Sequence, residues 1–174
     1  MDEMDSIAAV KRMEDIIRLQ ALVARFARAV DTRDYEALST VFVPTVTMKL
    51  APDIRIDGRE ALAGMLRDDL IWAATMHSMT NVVPEPEGDS ATVHANVTAV
   101  HVSRDGSGRH FDLGARYTFT AVRTEGAWLL SRIEIEPVWT TGVRASWSRS
   151  APPWTCCRSP HRPRSGPNSN RPLP

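Results

Sequence analysis

Over residues 13–30 the apolar side chains recur at helical spacing. Ile16, Leu19, Val23, Phe26 and Val30 form a stripe, which Ile17 and Leu22 widen, and charged residues fill the opposite face. The pattern predicts an amphipathic helix with one buried side. The stretch "DTRDYEALSTVF" predicts a second, short helix with Asp34 as its N-cap. "PTVTMKLA" and "DIRIDG" read as a hairpin that turns near Pro52 and Asp53, and "GREALAGMLRDDLIW" reads as a third helix.

After this the period changes from 3.6 to two. "TMHSMTNVV" predicts a strand that ends at Pro84, with "PEPEGD" as the turn. "SATVHANVTAVHV", "RHFDLGARYTFTAVR" and "AWLLSRIEIEPVW" alternate in the same way, separated by "RDGSG" and "TEG". Helices followed by long strands at hairpin spacing place the chain in the α+β class, with helices packed in a strongly curved mixed or antiparallel sheet.

Composition sets the boundary of this unit. The 174 residues carry zero net formal charge, but residues 143–174 hold six arginines and no acid, which leaves −6 on residues 1–142. The same last stretch has seven of the twelve prolines and both cysteines, Cys156 and Cys157. Its Arg, Pro and Ser content offers little to bury, so it is expected to be disordered. A basic arm for nucleic acid or a membrane surface and the out-of-frame reading of a GC-rich gene both produce such a composition, and the second fits better. The folded domain is expected to be residues 1–142, without a disulfide or thiolate site. No apolar run reaches the ~20 residues of a membrane span, and the acidic start lacks a signal-peptide core. Together these point to a cytoplasmic protein with no membrane or nucleic-acid partner.

The chain has no glycine-rich phosphate loop, CxxC, HExxH or GxSxG. What remains is a few polar residues at positions expected to be interior. Asp31 stands at the end of the first helix, where the partial negative charge of the helix terminus disfavours an acid. It could belong to the turn, but Asp34 already supplies the next cap. His77 sits on a strand whose two faces are both mixed, so a structural histidine and a reactive one both fit. His101 shares an apolar face and should point inward, whereas His94 reads as exposed. The histidine spacings suit no metal site. Arg116 lies opposite the apolar face of Phe111, Leu113, Ala115, Tyr117 and Phe119 and reads as paired with Glu134 or Glu136.

The segments "FARAVDTRDYEALSTVF", "GREALAGML", "ATMHSMTN" and "YTFTAVRTEGAWLLSRIEI" resemble the SnoaL-like branch of the nuclear-transport-factor-2-like superfamily. The likeness covers roughly residues 8–140. It is nearest in look to scytalone dehydratase, bile acid 7α-dehydratase and hexachlorocyclohexane dehydrochlorinase. The resemblance implies a cone-shaped α+β barrel around one deep pocket, and an Asp–His dyad at the positions of Asp31 and His77. It implies cofactor-independent lyase (dehydratase or dehydrohalogenase type) or isomerase chemistry on a small hydrophobic ring compound. It also implies a homo-oligomer, dimer or trimer. Val23, Phe26, Phe42, Met65, Trp72, Met79 and Asn81 are the expected pocket lining. One departure matters: relatives often carry Tyr or Lys where this chain has Phe26, and a phenyl ring donates neither hydrogen bond nor charge. The donor would then be His101, in first place, or Tyr35, Tyr117 or Arg116. Two other readings stand beside this one: a non-catalytic ligand-binding module, and an epoxide hydrolase built on Asp112 and Arg116.

Overall fold

The structure is a computed structural model that describes residues 3–51, 54–68 and 72–142. The expected turn at Pro52 and Asp53 and the expected tail at 143–174 lie outside the described residues.

The first helix, α1 (Glu3–Thr32), begins ten residues before the amphipathic stripe does. Its second half is the buried part: Leu19, Leu22 and Val23 are fully covered and Phe26 nearly so. Ile17, expected to widen the stripe, is 64% exposed, because this stretch of α1 turns that face away from the sheet. The helix stops in a Schellman turn. Asp34 N–H donates to Ala29 C=O at 2.9 Å and Arg33 N–H to Val30 C=O at 3.2 Å, with Arg33 in the left-handed region at φ 57°. The expected second helix is one 3-10 turn, Ala37–Thr40, which Asp34 does cap, its Oδ1 accepting Ala37 N–H at 3.1 Å.

Strands β1 (Phe42–Ala51) and β2 (Ile54–Asp57) form the expected hairpin, followed by α2 (Arg59–Asp68). Trp72 belongs to the next strand rather than to this helix. Four long strands follow: β3 (Trp72–Glu87), β4 (Ser90–Ser103), β5 (His110–Thr124) and β6 (Ala127–Gly142). The sheet order is β2-β1-β6-β5-β4-β3. All pairs are antiparallel except β1 with β6. The sheet is therefore mixed and open, with β2 and β3 at its edges, and register shifts in four of its five pairings bend it around the helices.

Strand β3 runs past Pro84 and Pro86 to Glu87, where the sequence suggested a turn. Proline is tolerated because β3 is an edge strand and only one side of its backbone pairs with another strand. The free edge is covered by α1 through side chains rather than a further strand. Arg12 donates to Pro86 C=O, Gln20 to Val82 C=O, and Arg33 to Trp72 and Ala73 C=O. This blocks the edge against pairing with another chain and fixes α1 lengthwise on β3.

A second polar lock holds α1 to the β5–β6 hairpin. Asp15 is buried in the otherwise apolar face of α1. Its Oδ1 accepts the Trp128 indole N–H at 3.0 Å and its Oδ2 accepts Arg123 Nη2 at 2.8 Å. The Arg123 guanidinium also lies 4.2 Å from the centre of the Trp128 ring and bonds Asp89. Burial pushes the Asp15 carboxyl up, but the bonds from Trp128 and Arg123 outweigh it and hold the group below the usual carboxylate range.

Candidate functional site

The inner face of the sheet and the helices enclose a cavity of about 150 Å³. That is room for about one small ring. Its walls are mostly apolar: Phe26, Val30, Met48, Leu50, Met65, Leu66, Trp72, Leu113 and Ile135. The polar exceptions are Arg33, Tyr35, Thr75, His77, His101 and Tyr117.

Asp31 and His77 meet at this wall. His77 Nδ1 lies 2.6 Å from Asp31 Oδ1, and His77 backbone N–H donates to Asp31 Oδ2 at 2.8 Å. Thr75 Oγ1 donates to Asp31 Oδ1 at 2.9 Å. The His77 side chain is 10% exposed and that of Asp31 21%. The geometry follows from the covered edge of β3. Asp31, in the last turn of α1, takes up a backbone N–H on that edge, just as Arg33 takes up carbonyls. This resolves the electrostatic awkwardness of an acid at a helix C-terminus, because three donors from β3 compensate the helix end. Burial raises the Asp31 carboxyl, and the ring, backbone and charge of His77 together with Thr75 more than offset it, so the group sits below its ordinary value and is ionised at neutral pH. A carboxylate only accepts, so the His77 proton resides on Nδ1, and in the neutral ring Nε2 keeps its lone pair.

His101 lies beside His77, ring centres 5.7 Å apart and nearly perpendicular, with Trp72 at 5.2 Å on another side. Its Nδ1 faces Phe111 C=O at 3.2 Å. A carbonyl only accepts, so Nδ1 is the protonated nitrogen. Burial, and then the nearby charge of His77, lower the ring to about 4. His101 is thus neutral at pH 7 and its free nitrogen is an acceptor, which corrects the expectation that it would be the donor. The shift has a consequence for stability. The unfolded ring takes up a proton near its ordinary value of 6.5, while the folded ring resists protonation down to about 4. Stability is therefore full above pH 6.5 and falls as the pH drops between these values, by about 3 kcal/mol. Urea denaturation of a His101→Gln variant should show a flatter dependence between pH 6.5 and 4. An unchanged slope would show that His101 is not the source.

The other expected site residues divide by place. Phe26, Met65, Trp72, Tyr35 and Tyr117 line the cavity. Val23 and Phe42 do not: both are fully buried in the packed core behind it, with Phe26 wedged edge-on between Phe42 and Phe119. Met79 is half-buried against that core and also lies off the cavity. Asn81 is exposed, at φ 50° in a bulge between Thr80 and Val83. Before the bulge Thr75, His77 and Met79 face inward; after it Val82, Pro84 and Pro86 do. Simple alternation would put Asn81 and Val83 on the face of His77, and the extra residue reverses that parity. Arg116 is on the outer face, paired with Glu136 at 3.4 Å, and Asp112 bonds His110. Neither lines the cavity, so the Asp–Arg–Asp set of an epoxide hydrolase is not assembled around it. Sequence reasoning missed Thr75 and Arg33. Thr75 was open to it, being two residues from His77 on the same strand face. Among the described residues no group of three or more His, Cys, Asp or Glu side chains is placed to hold a metal ion, and no helix is long and apolar enough to cross a membrane.

An open, bent sheet around helices with an apolar pocket on its inner face is the architecture of a small-molecule-binding cone domain. The model of the SnoaL-like domain matches residues 11–134, and the chain belongs to that family. Its fold is shared with a candidate scytalone dehydratase from Novosphingobium aromaticivorans, at 21% identity, over 86% of this chain and 99% of that one, with TM-score 0.73. It is shared also with hexachlorocyclohexane dehydrochlorinase LinA-type3 from Novosphingobium barchaimii, at 18% identity, over 83% and 99% of the two chains, with TM-score 0.70. A protein named as a candidate aromatic ring hydroxylase, again from N. aromaticivorans, is 27% identical over 75% of this chain and 94% of its own, with TM-score 0.69. A comparison with curated proteins finds no match.

Proposed function

We propose that the protein is a cofactor-independent lyase or isomerase, of the dehydratase or dehydrohalogenase type, that takes a proton from a small hydrophobic ring compound. The observation that carries this reading is the 2.6 Å contact between Asp31 Oδ1 and His77 Nδ1 at the wall of an apolar cavity. Asp31 fixes the tautomer and stabilises the imidazolium; His77 Nε2 is the base. The C–H pair becomes the new double bond as the β leaving group departs with its own bonding pair. Where that group is hydroxide, the imidazolium returns the proton and water leaves. In an isomerase the proton returns to another carbon instead.

The test is turnover of ring ketones with a β-hydroxyl, whose dehydration gives a conjugated enone followed by ultraviolet absorbance. An Asp31→Asn variant should keep the fold and lose most of kcat, since an amide stabilises an imidazolium poorly. Equal kcat in the two proteins would count against the dyad. A second reading, ligand binding without turnover, is favoured by Phe26, which offers neither a hydrogen bond nor a charge to a leaving group. Assembly as a cytoplasmic homo-oligomer belongs to the same reading. Support for assembly comes from the exposed apolar residues Met4, Ile7, Val10, Met13 and Ile17 along α1 and from Val138 and Trp139 on the sheet.

A further inference from the structure

Four side chains stand out as donors that could act on a ligand in the absence of a polar group at position 26. Three are already committed. The Tyr35 hydroxyl donates to Leu66 C=O at 2.9 Å, His101 Nδ1 to Phe111 C=O, and Arg116 is outside, on Glu136. Tyr117 is different. It lines the cavity, is 4% exposed, and its hydroxyl makes no hydrogen bond with any described residue. Its cross-strand neighbours are Ala95 and Ile135 and its ring packs by Phe119, none of which offers a side-chain acceptor.

We propose that the Tyr117 hydroxyl is the ligand-binding donor of this cavity, and that it selects neutral ring compounds bearing an oxygen acceptor, such as a ketone, over halocarbons and hydrocarbons of the same shape. No described residue takes up this hydroxyl, so its bond to a ligand oxygen is gained without breaking one in the fold. Burial raises the phenol well above its ordinary value, so it stays a neutral donor throughout the working range. It is apt for a carbonyl and poor for a cation. Positioned there, it would also polarise the carbonyl whose neighbouring C–H faces a base. The inference rests on the cavity being the functional site, but it does not require that His77 act as that base.

The test uses two probes of one shape, acetophenone and α-methylstyrene, in which C=O replaces C=CH₂. They are titrated by ligand-observed NMR against the full chain and its Tyr117→Phe variant. The ratio of ketone to alkene affinity should fall about fivefold in the variant, with alkene binding unchanged. The unliganded variant should melt at the same or a higher temperature, because the change removes a hydroxyl that no described residue bonds. An unchanged ratio overturns the assignment. If Asp31→Asn still abolishes turnover, that failure concerns Tyr117 alone. Binding of neither probe by the unsubstituted protein overturns the assignment and the reading of the cavity together.

Discussion

Replacing His77 with alanine should lower kcat/KM by about 10²- to 10⁴-fold, the span that a positioned general base contributes, while leaving the fold in place. The separation of the two effects comes from the way Asp31 is held. Of the three bonds to its carboxylate, two come from Thr75 Oγ1 and from the backbone N–H of residue 77, and both survive the substitution. The loss of the third, with the small void left by the ring, is expected to cost about 1–2 kcal/mol. Far-ultraviolet circular dichroism and a urea melt check the fold, and the enone assay checks the chemistry. Turnover equal to that of the unsubstituted protein would remove His77 from the mechanism. The ligand-binding reading would then gain, because Tyr117 and the apolar walls remain.

Asp15→Ala should destabilise the protein by about 3 kcal/mol, as much as truncating a buried apolar side chain of α1. Removing one partner of a buried ion pair leaves the other charge without compensation, and the cost usually lies in this range or somewhat above it. Here Arg123 keeps Asp89, but the Asp89 side chain is 83% exposed and compensates weakly. The Trp128 indole N–H, 97% covered as a residue, loses its acceptor altogether. A urea titration measures the difference. A loss under 1 kcal/mol would show that water or Asp89 takes over from Asp15. The same group makes the protein acid-labile. The folded pKa of Asp15 lies below the ordinary aspartate value of 3.8, so its stabilisation is complete above that value and is lost as the pH falls through the folded pKa. Asp31 adds to the same loss for the same reason.

These two acids show what periodicity could and could not reveal. The stripe through Leu19, Leu22, Val23 and Phe26 was enough to predict the buried face of α1. Asp15 sits on that face and its partners are 108 and 113 residues away, so nothing in its neighbourhood marks it. The period of two on β4 and β5 put His101 and Tyr117 on inward faces and Arg116 outside, and the side chains lie so. On β3 the same rule failed after Thr80, since one bulged residue reverses the parity of everything that follows.

Sequence alone determined the α+β class, the inward faces of β4 and β5 and the absence of the known phosphate-loop, CxxC, zinc-hydrolase and serine-hydrolase motifs. These depend on local spacing and residue type, which a single chain displays directly. The partnership of Asp31 with His77 was suggested only by resemblance to a family, because it spans 46 residues. Tertiary structure decided it, by laying α1 along the unpaired edge of β3 so that an acid at the helix end met a free backbone N–H. That no described residue bonds the Tyr117 hydroxyl was decided in the same way: whether a polar group has a partner depends on every element packed around it, and no stretch of sequence contains that information.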